Sequence, residues 1–200
     1  MINTKINPYD EICPQWDEYR KKTSVNKCIA DFSRRLKPNS SILDVGCGTG
    51  YPIDFFLSER GFRITGIDSS AKMIEKAASL KLKNTEYHVA ELFGFRTEEK
   101  FDAIIAFDCL WHICHDNQKY IYGTIASLIK KGGYFIFTHG KKDGEIYGEM
   151  MGQTFYYSAL DAEEVKKILI YEGFEIISFT ENYKERTTGD RELLVEARKL

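Results

Sequence analysis

No run in these 200 residues is apolar for long enough to span a bilayer. The opening stretch, Met1-Ile-Asn-Thr-Lys-Ile-Asn-Pro8, lacks the apolar core of a secretion signal. Neither sign of charge is in excess. The chain has 28 Lys and Arg against 30 Asp and Glu, a net −2 with a pI near 6.1, and so no broad electrostatic footprint for nucleic acid. Cysteine is sparse: five residues, an odd number at scattered positions, do not make a disulfide framework. These absences predict a soluble, cytoplasmic protein with neither a membrane nor a nucleic acid as partner. What is present is 43% hydrophobic and 14% aromatic residues, enough at this length for one domain with a sizeable core.

One further absence is informative. The dinucleotide fingerprint G-x-G-x-x-G does not occur where a glycine turn follows a strand. Instead Ile42-Leu-Asp-Val-Gly-Cys-Gly-Thr-Gly50 carries glycines at 46, 48 and 50, preceded by Asp44 and followed by Pro52 and an amphipathic segment. That order reads as a buried strand, a tight turn and a helix start. Glycines there permit positive φ and close approach of a ligand to the backbone. Free N–H groups of the helix N-terminus then face whatever lies there. A second apolar run, Ile64-Thr-Gly-Ile67, ends at Asp68, 22 residues after Gly46. A carboxylate at that place can accept hydrogen bonds from both ribose hydroxyls of an adenosine.

The rest of the chain alternates. Strands are predicted at 42–45, 63–67, 86–89, 101–107, 134–138, 174–179 and 193–197. Helices are predicted at 25–36, 53–60, 71–80, 117–128 and from Asp161 to Glu172. Gly132-Gly133 ends the region after the fourth of these helices. Alternation of this kind builds a doubly wound sheet, and the polar loop 180–191, without a helix, pairs the last two strands antiparallel. In such sheets ligands lie beyond the carboxyl ends of the strands.

Leu43-Asp-Val-Gly-Cys-Gly-Thr-Gly50 followed by Gly66-Ile-Asp68 resembles the class I S-adenosylmethionine-dependent methyltransferases. The resemblance implies a Rossmann-like α/β fold: seven strands, mostly parallel, the last antiparallel. It implies S-adenosyl-L-methionine as cofactor, the glycine loop passing under its methionine portion and Asp68 holding its ribose. Carried onto matching positions, the cofactor residues are Tyr19, Asp44, Gly46, Cys47, Gly48, Gly50, Asp68, Ser69, Met73, Glu91, Leu92, Phe107 and Asp108. It also implies one domain over 1–200: an N-terminal helical lid to residue 40, a cofactor core over 41–140, a possible acceptor lid over 141–160, and a C-terminal helix and strand pair over 161–200. Trp16 and Tyr19 belong to that first lid or pack it on the core. The related enzymes that methylate nucleic-acid amines carry an Asp/Asn-Pro-Pro-aromatic motif after strand four; here Asp108-Cys-Leu-Trp111 has no proline.

Three groups of residues stay open. Cys109, His112, Cys114 and His115 are metal-ligating types, but too close together for the two separated pairs of a tetrahedral site, and no metal is predicted. His112 and His139 follow strands four and five and are the candidates for a general base. Segment 141–157, with Tyr147, Met150, Met151, Phe155, Tyr156 and Tyr157, is the candidate cover for a small-molecule acceptor.

Overall fold

The computed structural model describes residues 7–185 and 188–200. Helix α1 (Pro8–Lys21) begins where Asn7 accepts from the Tyr9 amide, with Pro8 in the first helical position. Helix α2 (Lys27–Ser33) is shorter than the predicted 25–36 and precedes β1 (Ser41–Val45). Then follow α3 (Ile53–Ser58), β2 (Arg63–Asp68), α4 (Ala71–Ser79), β3 (Thr85–Val89) and β4 (Phe101–Ala106). Residues 115–120 form a 3₁₀ segment, so α5 (Ile121–Leu128) starts later than the predicted 117. The chain closes with β5 (Ile129–His139), β6 (Gly144–Met150), β7 (Gln153–Ala159), α6 (Ala162–Tyr171), β8 (Phe174–Tyr183) and β9 (Arg191–Lys199).

The seven-stranded sheet runs β3-β2-β1-β4-β5-β9-β8. Pairs β1–β2, β2–β3, β1–β4 and β4–β5 are parallel, and β9 is antiparallel to both its neighbours. The central strand β1 is buried at every position, as a strand covered on both faces must be. Its alternate side chains serve two layers. Leu43 and Val45 join Ile121, Ile125, Val165 and Leu169 on the α5–α6 side; Ile42 joins Ile29, Phe32, Ile53 and Leu57 on the α2–α3 side. The chain leaves β1 toward β2 in one direction and reaches β4 in the other. The carboxyl ends of β1 and β4 therefore flank the crevice where such sheets bind ligands.

Two departures from the sequence-based expectation matter. Gly132-Gly133 does not end a region; it lies inside β5. The pairing with β4 jumps there from Phe101–Ile129 to Ala103–Tyr134, and Gly132 takes φ +80° at the bulge. Segment 141–157, to which the sequence assigns neither strand nor helix, is regular. It holds most of a second sheet, the hairpin β6–β7, closed through Met151 and Gly152, both at positive φ.

Candidate active site

Three glycines make the floor. Gly46, Gly48 and Gly50 have φ of +70°, +57° and +74°. A Cβ on Gly46 would stand 2.4 Å from the Cβ of Cys109, and one on Gly50 would stand 2.6 Å from the Tyr87 hydroxyl. The loop is tied to β2 by the amides of Gly46 and Cys47, which donate to the Ile67 carbonyl at 2.8 and 3.1 Å. Asp68, half-buried at the end of β2, holds the far side. One carboxylate oxygen accepts from the Gly48 amide at 3.0 Å, the other from the Ser70 amide at 2.8 Å. Burial pushes the Asp68 carboxyl above its usual range, and those two amides pull it back. Each oxygen retains a lone pair for a further donor.

The first roof is α1. Asp10 accepts from the Ser70 hydroxyl at 2.6 Å and the Lys72 amide at 3.0 Å, and so caps α4 from a distant segment. Asn7 donates to the Ser69 hydroxyl at 2.9 Å. The indole nitrogen of Trp16 comes within 3.6 Å of where a Gly48 Cβ would be. One turn on, Arg20 is buried. Burial draws its pKa down; Asp108 and Asp44 lie near enough to draw it back. Its guanidinium sits against the Trp16 ring and makes no hydrogen bond among the described residues.

The second roof is the hairpin. Phe155 of β7 is buried among Ile12, Cys13 and Met73, with its ring 4.9 Å from that of Tyr9. Between the roofs stands His112. Its Nδ1 is 2.8 Å from the Tyr156 carbonyl oxygen, a partner that can only accept, so Nδ1 carries the proton. Its Nε2 lone pair then accepts from the Tyr9 hydroxyl at 2.9 Å and from the Trp111 indole at 3.1 Å. Burial lowers the His112 pKa, so the ring is neutral at pH 7.

Other candidates from the sequence separate. His139 is fully buried; its Nε2 meets the Gln118 amide oxygen at 2.8 Å and its Nδ1 the Gly140 carbonyl at 2.8 Å. Gln118 in turn donates to Leu110 and Ser158, so His139 braces the loop after β4 against the hairpin. Tyr19 is 40% exposed, its ring 5.9 Å from Trp16, and Arg20 is the neighbour turned inward. Glu91 is exposed, whereas Leu92, Met73 and Phe107 are buried in apolar clusters. Asp108 adopts φ +61° and is gripped by the Arg191 guanidinium through both carboxylate oxygens, with the Thr138 hydroxyl at 3.1 Å. The four metal-type residues go four ways: Cys109 Sγ donates to the Val45 carbonyl at 3.0 Å, His112 meets Tyr9, Cys114 is exposed, and His115 pairs with Asp143.

Tyr9, Asp10, Arg20 and Arg191 are the residues missed from sequence. The first and third had a signal, since 9, 16 and 20 share one helical face. Arg191 had none, lying 83 residues from Asp108.

Residues 16–178 match the model of a methyltransferase-domain family. Phosphoethanolamine N-methyltransferase 2 of Caenorhabditis elegans is 28% identical over 191 residues, covering 90% of this chain and 41% of the relative. Ubiquinone biosynthesis O-methyltransferase of Pelagibacter ubique is 30% identical over 142 residues, 70% of this chain and 58% of the relative. The chain thus spans about two- to three-fifths of these relatives' lengths. A SAM-dependent methyltransferase from Methanosarcina mazei superposes with a TM-score of 0.73 at 21% identity, over 88% of this chain and 99% of that one.

Proposed function

Because this chain belongs to the methyltransferase-domain family, we propose that it transfers a methyl group from S-adenosylmethionine to a small-molecule acceptor enclosed by α1 and the β6–β7 hairpin. The residues fit the cofactor. The loop at 46–50 exposes backbone where any Cβ at 46 or 50 would collide, and Asp68 has acceptor capacity for ribose hydroxyls. Arg20, buried and without a hydrogen-bonded partner among the described residues, is a ready counter-charge for the amino-acid carboxylate. By the family resemblance alone, Met73, Glu91 and Leu92 would stand at the adenine end, and Phe107 and Asp108 at the methionine end.

When bound, S-adenosylmethionine supplies a methyl group on a positively charged sulfur that is already a good leaving group. The protein therefore has to orient the acceptor and keep water out. Where the acceptor atom carries a proton, His112 is placed to take it. The Tyr9 hydroxyl receives the acceptor's proton as it passes its own to the Nε2 lone pair of His112. Nδ1–H stays on the Tyr156 carbonyl throughout.

The observation that carries the small-molecule reading is the meeting of the two roofs: the Tyr9 ring lies 4.9 Å from that of Phe155, and its hydroxyl is bonded to His112. A site roofed on both sides suits an acceptor that is swallowed whole. The two curated relatives are named for small-molecule chemistry, phosphoethanolamine and ubiquinone biosynthesis. The test is transfer of label from methyl-labelled cofactor, run on a metabolite panel and on size-fractionated cell extract. Label in the low-mass fraction, lost in Phe155→Ala, supports the reading. Label confined to protein or nucleic acid overturns it.

A further inference from the structure

Beneath the glycine loop lies a polar cluster with no part in the reading above. Asp54, in the first turn of α3, is fully buried, and no backbone amide or cationic side chain among the described residues donates to its carboxylate oxygens. What faces it is the carboxyl group of Asp44, 2% exposed on β1, and the Tyr87 hydroxyl reaching across from β3. The buried Thr49 hydroxyl is without a partner among the described residues. Two carboxylates facing one another in a dry interior resist both being ionised, and a proton shared between them relieves the repulsion. Other titratable groups around the pair are Cys47 in the loop, Asp68 on β2 and Arg20 on α1.

We propose that Asp54 is a positioning residue for the cofactor: it shares one proton with Asp44 under the glycine loop, and loss of that proton makes the site discriminate more strongly between S-adenosylmethionine and S-adenosylhomocysteine. The inference rests on the cofactor and not on the acceptor. With the proton in place the pair carries one negative charge; without it, two. Substrate and product differ by the methyl group and the positive charge it leaves on sulfur. The second negative charge therefore favours the substrate alone, and any loosening of the loop by repulsion weakens both ligands and cancels in their ratio. The α-amino group does not cancel, because the sulfonium charge lowers its pKa in the substrate only, so the Asp54 effect is read as the difference between wild type and Asp54→Asn. The burial that lifts the Asp54 carboxyl to about 7 puts the change in an accessible range.

The experiment is titration calorimetry of the intact protein with each ligand separately, from pH 6 to 8.5. In wild type the ratio of the two dissociation constants should change about three- to tenfold in favour of S-adenosylmethionine as pH rises. In Asp54→Asn the amide donates permanently to Asp44 and has no proton to lose, so the ratio should lose that part of its pH dependence. A second measurement uses the same variant. At pH 7 the heats in buffers of different ionisation enthalpy should reveal more proton release with S-adenosylmethionine in wild type than in Asp54→Asn. Equal slopes in wild type and Asp54→Asn, or equal proton release with S-adenosylmethionine in the two proteins, would overturn the proposal. Failure of both ligands to bind at every pH would instead overturn the cofactor assignment.

Discussion

Single side chains of this site are set by what surrounds them more than by their type. Asp68 is held by two backbone amides, one on each carboxylate oxygen. Asp68→Ala should weaken cofactor binding by about 1.5–3 kcal/mol, read as the dissociation constant with folding checked by circular dichroism. An unchanged constant would remove the ribose from this position. His112 is neutral because it is buried. Its folded pKa lies below the unfolded value, so transfer should fail as pH falls through the lowered pKa, and the acid limb should vanish in His112→Asn. That variant should lose about 10²- to 10⁴-fold in kcat. Asp54 has the opposite sign. Its folded pKa is raised, so its stabilisation is complete below the unfolded pKa near 4 and declines as pH rises to about 7. Urea unfolding of Asp54→Asn against wild type should therefore show the variant gaining on the order of 1 kcal/mol per pH unit across that window. A constant difference would mean that Asp54 is ionised throughout.

Among the elements, the hairpin and α1 depend on one another. Neither is covered on its own: Phe155 fills the gap between Ile12, Cys13 and Met73, and Tyr9 reaches over it to His112. Phe155→Ala should destabilise the protein by about 3–5 kcal/mol, and do so locally. Proteolysis should then cut first in α1 or near 151–152, before the sheet opens. A uniform rise in cleavage across the chain would show that the roofs are not a separate unit. The hairpin was half-legible. Runs 144–150 and 153–159 flank a Met-Gly pair, and glycine there suits a two-residue turn whose central residues both have positive φ. Its aromatic content signals cover over an apolar cleft as readily as it signals strand.

For the molecule as a whole, the C-terminal strand pair closes the site from the side. Arg191 is 9% exposed at the start of β9, and its grip on Asp108 fastens that strand to the loop after β4. Removing the guanidinium leaves a carboxylate at positive φ without its main counter-charge. Arg191→Met should therefore cost about 3–5 kcal/mol of stability in urea, and Asp108→Asn with Arg191→Met should cost less than the sum of the two. Additive effects would mean that the pair is not coupled. No helix among the described residues is long and apolar enough to cross a membrane.

The sequence by itself determined what depends on short-range chemistry. The alternation of strands and helices, the glycine turn after β1 and the acidic end of β2 all lie within segments whose period and punctuation are local. Those features also put the expected ligand beyond the carboxyl ends of the strands, whereas the strand order that sets the crevice between β1 and β4 came from the fold. Only the tertiary structure decided which residues share the site. Tyr9 meets His112 across 103 positions, Asp10 meets Ser70 across 60, and Arg191 meets Asp108 across 83. It also decided which histidine has a lone pair to offer. His112 and His139 follow neighbouring strands and look alike in the sequence. One is fixed with its Nε2 facing a tyrosine hydroxyl, the other with both nitrogens against oxygens in the interior. Such outcomes depend on burial and on partners brought in from remote segments, and no local pattern encodes either.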